Sequence, residues 1–180
     1  FEEPSVLTSH LIDKAETYRQ QFITGVPFPH VVIDGFFTPE FAKALYEEFP
    51  AFERGRAVGD DGKVGSKSTF DRIRKLGSTY SRLDATIQTR MFLETISKLT
   101  GIPDLIYDPF YLGGGTHENR EGQSLDAHID FNYHPSERWH RRLNLIVYLN
   151  PEWDSTWGGS LELFSDPRRE ARPIKAILPL

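Results

Sequence analysis

In the stretch "LDAHIDFNYHP" a histidine and an aspartate stand two positions apart, at 128 and 130, within an apolar–polar alternation. On a strand, side chains at i and i+2 point the same way, with α-carbons about 6.5–7 Å apart. His128 and Asp130 can therefore converge on one cation while Ile129 points to the opposite face. An imidazole nitrogen and a carboxylate oxygen make two thirds of the facial triad that holds non-haem Fe(II) and leaves positions open for other ligands. The tripeptide alone favours an exposed strand pair, so the surrounding sequence has to decide.

Composition narrows the chemistry. The 180-residue chain has no cysteine, which removes thiolate metal sites, thiol nucleophiles and disulfides, and suits a reducing, cytoplasmic setting. A net charge of −5 disfavours a general nucleic-acid binder. No run approaches the roughly 20 apolar residues of a membrane span. The length fits one domain, residues 1–180. The chain begins at Phe1 and stops at Leu180 inside an apolar run, so the domain is expected to be C-terminally incomplete.

The positioning elements change halfway. Helices are expected over 9–22 with Ser9 as N-cap, over 38–49 with Thr38 as cap and Pro39 at the first helical position, and over 83–99 before Thr100-Gly101. "HVVIDGFF" reads as a short buried strand. Residues 51–80 carry five glycines and seven basic residues against four acidic ones. They read as a flexible connection or a lid bearing Arg54, Arg56, Lys63, Lys67, Arg72, Arg74 and Lys75. After Gly101, "DLIYDPFYL", "SLDAHIDFNY", "RRLNLIVYLN", "GSLELF" and "RPIKAILPL" read as strands separated by turn-forming clusters. The expected fold is α+β, an all-β sandwich or barrel core with the N-terminal helices packed outside.

"YLGGGTHENREGQSLDAHIDFNYHP" followed by "RRLNLIVYLNPEWDSTWGGSLELF" resembles the prolyl-hydroxylase-like group of 2-oxoglutarate/Fe(II) dioxygenases, and "PFPHVVIDGFFTPEFAKALYEEF" resembles its opening segment. The resemblance implies a double-stranded β-helix (jelly roll) and hydroxylation of an unactivated C–H bond with release of succinate and CO2. It implies Fe(II) and 2-oxoglutarate as cofactors, with ascorbate as a reductant. His128 and Asp130 match the first two iron ligands, and Tyr148 matches a tyrosine that contacts 2-oxoglutarate. By alternation Arg142, Asn144, Ile146 and Tyr148 share a face, so Asn144 is a further candidate for cofactor binding. Asp130 favours hydroxylation over halogenation, because related halogenases carry a small residue there. The third ligand and the 2-oxoglutarate-binding arginine of the family have no counterpart before Leu180. His117 is a candidate substrate contact, while His134 and His140 read as loop residues near the mouth. The substrate is a small molecule or a peptidyl group. The alternatives are a cupin-like hydrolase or isomerase, and a non-catalytic jelly-roll binding module with a degenerate metal site.

Overall fold

The computed structural model describes residues 5–53, 67–166 and 172–180. Helices dominate the first hundred positions: α1 (His10–Asp13), α2 (Ala15–Ile23), α3 (Pro39–Glu47), α4 (Ser78–Ile87) and α5 (Arg90–Thr100). Strand β1 (Ser68–Phe70) pairs antiparallel with β2 (Thr116–Glu118), and β3 (Leu161–Leu163) with β4 (Lys175–Ile177). Among the described residues no helix is long and apolar enough to cross a membrane.

Two apolar clusters hold the helices. Val6, Phe37, Phe41, Leu45, Ile73 and Tyr80 form one, and Leu11, Phe92, Ile96 and Leu99 the other. Leu7 and Phe36 pack against both and join them. Leu11, Leu45 and Leu99 are almost fully buried, each worth roughly 1.5–3 kcal/mol of transfer free energy. The main core is thus helical and not the all-β core expected, although the α+β class holds.

The expected helices appear with different breaks. Thr38 and Pro39 open α3 as expected, although the Thr38 hydroxyl donates to the Ser5 carbonyl instead of capping. The 9–22 helix is interrupted at Lys14, and Ser9 is itself helical with no capping bond. The 83–99 helix divides because Thr89 takes an extended conformation and accepts the Phe92 N–H, starting α5 afresh. Gly101 ends α5 at φ 74°, the left-handed stop expected of a glycine. "HVVIDGFF" is no buried strand. Only Phe37 bridges, to Leu7, and Val32 is largely exposed.

The jelly roll is not formed among the described residues. A strand needs a hydrogen-bonded neighbour, and 104–112, 124–133 and 141–150 have no ladder despite their β-branched and aromatic composition. The last two segments meet only at a hairpin tip, through the Tyr133–His140 bridge and the Arg141 N–H donating to the Asn132 carbonyl. In contrast, "GGGTHENREG", expected as a turn, contains β2. Its partner β1 comes from the expected lid, and the rest of 67–80 is ordered around buried Ile73. Arg54, Arg56 and Lys63 lie outside the described residues.

Glu48 caps α4 from a distance. Its Oε2 accepts the N–H groups of Thr79 at 2.8 Å and Tyr80 at 3.4 Å, where the helix dipole favours an anion. Burial raises the Glu48 pKa, but these bonds and the Ser78 hydroxyl outweigh it and hold the carboxyl below its ordinary value. A Cβ on Gly77 would sit 2.4 Å from Glu48 Oε2, so a side chain there displaces the capping carboxylate. Gly77→Ala is expected to lower stability by about 1–2 kcal/mol, the size of a lost cap. Urea denaturation measures it, and an unchanged midpoint would show that the cap adds nothing.

Candidate metal centre

His128 and Asp130 lie on an extended segment that leads into the hairpin tip. His128 Nδ1 is 2.8 Å from the Asp126 carbonyl oxygen. A carbonyl only accepts, so Nδ1 carries the proton, and the neutral ring keeps its lone pair on Nε2. That nitrogen lies 3.6 Å from Asp130 Oδ1. Two metal bonds of about 2.1 Å span up to about 4.2 Å, so both atoms can reach one ion. Two acceptors facing each other at this distance repel unless a cation or proton lies between them. The donor chemistry therefore fits a metal. Among the described residues no group of three His, Cys, Asp or Glu side chains completes a metal site.

The other carboxylate oxygen is engaged. Asp130 Oδ2 accepts from Asn144 Nδ2 at 2.6 Å and lies 3.3 Å from Arg141 Nη2. Arg141 also donates through Nε and Nη2 to Asn144 Oδ1, with the Nε bond at 3.1 Å, and its guanidinium lies over the Phe131 ring at 4.5 Å. Asn144 thus meets Asp130 and Arg141 with both ends of its amide. Arg141 was not singled out by strand alternation, which favoured Arg142. Arg141 and Asn144 are three apart and would point to opposite faces of a regular strand. They meet because the chain there is not one. Tyr148 is half-buried, and burial raises the pKa of its hydroxyl.

The hairpin tip brings these residues together. His134 is 8% exposed and packs between Phe110 and Trp139, with ring centroids 5.4 and 5.8 Å away. Its Nδ1 accepts the Glu137 N–H at 3.2 Å. His140 stacks on Tyr133 at 4.9 Å. Both histidines, expected as loop residues near the mouth, therefore serve to shape the turn.

His117 lies on β2 opposite Thr69. Its pKa is lowered, first by withdrawal from water and then by Lys67; the Gly114 backbone and the Asp130 charge pull the other way.

Residues 114–179, which contain this pair and its hairpin, match the family model described as the 2OG-Fe(II) oxygenase superfamily. By this match the segment is similar to that superfamily. No curated protein and no solved structure matches the chain. The superfamily's description names both expected cofactors, iron and 2-oxoglutarate, and oxygenase chemistry in general. Within the matched segment, Asp130 Oδ1 and His128 Nε2 are the atoms that face each other.

Proposed function

We propose that the protein is a hydroxylase of the prolyl-hydroxylase-like group, acting on an unactivated C–H of a prolyl residue, an amino acid or a small metabolite. The observation that carries this reading is the convergence of one free lone pair from His128 and one free oxygen from Asp130, each with its other polar atom already engaged. Bound Fe(II) and 2-oxoglutarate supply the oxidising chemistry, with succinate and CO2 released alongside the hydroxylated product. His128 holds iron through Nε2 while the Asp126 carbonyl fixes its tautomer. Asp130 holds it through Oδ1. Tyr148 is assigned to 2-oxoglutarate on the resemblance of "LIVYLN". Charge supports the same reading: Arg141 offsets Asp130, so a dication at this site is left to be balanced by a dianion such as 2-oxoglutarate. The cysteine-free composition supports a cytoplasmic setting.

An anaerobic titration of the full-length protein with Fe(II) and 2-oxoglutarate tests the assignment. The expected result is a visible charge-transfer band that disappears in His128→Ala, with succinate formed on adding oxygen and ascorbate. The absence of a third donor among the described residues favours a second reading, a non-catalytic binding module with a degenerate site. Folded protein without a band would select it.

A further inference from the structure

Asp130 uses its two oxygens differently. Oδ2 faces two donors, the Asn144 amide at 2.6 Å and the Arg141 guanidinium at 3.3 Å, while Oδ1 faces His128 Nε2 at 3.6 Å. Asn144 is in turn held by Arg141, and Arg141 is braced by the Phe131 ring. A carboxylate with both oxygens free can swing to chelate an ion in two-toothed fashion, or turn away from it. Here a planar fork and an amide hold one oxygen in place.

We infer that Arg141 is a positioning residue for the metal centre: acting with Asn144, it ties Oδ2 of Asp130 so that Oδ1 alone is offered to the ion. The inference rests on the metal-binding reading of His128 and Asp130. It also runs against simple electrostatics. A guanidinium beside a cation site repels the cation, so removing its charge should tighten metal binding if charge were all that mattered. Positioning predicts the opposite sign, because the freed carboxylate gains rotational freedom that the ion must then remove. Partners of metal ligands typically alter metal affinity by about 10–100-fold when lost.

The probe is Co(II) alone, titrated into the full-length protein and followed by its visible d–d absorption, whose intensity reports coordination number. Arg141→Met keeps an unbranched stem over Phe131 and removes the fork. It is expected to weaken Co(II) binding about 10–100-fold and to change the band intensity as Asp130 becomes free to bind through both oxygens. Arg142→Met, an equal loss of charge at an exposed neighbour, is expected to leave both unchanged. Unchanged or tighter binding in Arg141→Met, with His128→Ala still abolishing it, overturns the clamp and leaves the metal centre standing. No Co(II) binding by the folded parent protein overturns the metal reading, and the clamp with it. Should Arg141→Met not fold, Arg141→Lys decides. It keeps charge and stem but cannot serve both acceptors in one plane. It is expected to bind more weakly than the parent, and full parental affinity would overturn the fork.

Discussion

Asp130→Ala and His128→Ala are each expected to bring iron- and 2-oxoglutarate-dependent turnover down to the background rate while leaving the protein folded. The chemistry needs both atoms on one ion, and neither neighbour can substitute. Asn144 and Arg141 present donors to Asp130, and a donor cannot bind a cation in its place. Stability is another matter. The two side chains are 47% and 40% exposed, and substitutions at exposed positions outside the core mostly shift folding free energy by no more than about 0.5 kcal/mol. Succinate release and a thermal melt measured on the same preparations separate the two effects. Full turnover in either variant would remove the metal assignment, whereas loss of turnover together with unfolding would place these residues in the structural frame.

The largest effect on stability is expected far from the metal pair, at Asp84. This carboxylate on α4 accepts from Arg74 Nε at 2.7 Å, Tyr107 Oη at 2.5 Å and Tyr111 Oη at 2.7 Å, and only 8% of its side chain is exposed. Removing it leaves two inward-facing hydroxyls and a guanidinium without their acceptor. Asp84→Ala is therefore expected to lower unfolding free energy by about 1–3 kcal/mol, the cost of leaving the two hydroxyls unsatisfied, while half-exposed Arg74 turns to water. Tyr111 stands at φ 52°, an unfavourable conformation for a bulky residue, and its bond to Asp84 helps to hold it there. The effect reaches the site through Gly113, where a Cβ would lie 3.4 Å from Phe131 and 3.8 Å from Arg141. A loosened 107–113 segment withdraws support from the ring that braces the arginine.

The same carboxylate sets a pH dependence. Burial raises the Asp84 pKa, but the bonds from Arg74, Tyr107 and Tyr111 and the Arg74 charge outweigh it, so the folded value lies below the ordinary one. A depressed folded pKa adds stability that is fully present above the unfolded value of about 3.9 and fades as pH falls through the folded value. Melting temperatures from pH 7 to 2 should show this acid loss in the parent. In Asp84→Asn the loss should be smaller, and identical profiles would mean that folding leaves the Asp84 pKa unchanged.

Local signals made the helices readable. Phe41 and Leu45 of α3, and Ile96 and Leu99 of α5, follow helical spacing and are buried, while Pro39 and Gly101 mark an end that only backbone geometry need satisfy. Asp84 also left a trace: four residues after Tyr80 and three before Ile87, it sits on the inward face of its own helix. The approach of His128 to Asp130 was readable because i and i+2 suffice to bring the two side chains together. Arg141 was not, since its approach to Asp130 depends on the turn between Tyr133 and His140 and on His134 being buried within it. The strands at 104–112 and 141–150 failed for a related reason. Composition reports fitness for a sheet, but a ladder also needs a neighbour, which no local pattern supplies.

The joined helical clusters draw few side chains from the hairpin that carries His128 and Asp130. Ile129, Tyr133, Leu145 and Ile146 are each about half exposed or more, while the best-buried leucines all lie before residue 100. Substitutions around the hairpin therefore fall where most changes shift folding free energy by no more than about 0.5 kcal/mol. The usual exchange between activity and robustness is relaxed in such an arrangement. New specificities can be sampled on the hairpin without eroding the helical frame, which gives this chain room to diverge in what it acts on while it stays folded.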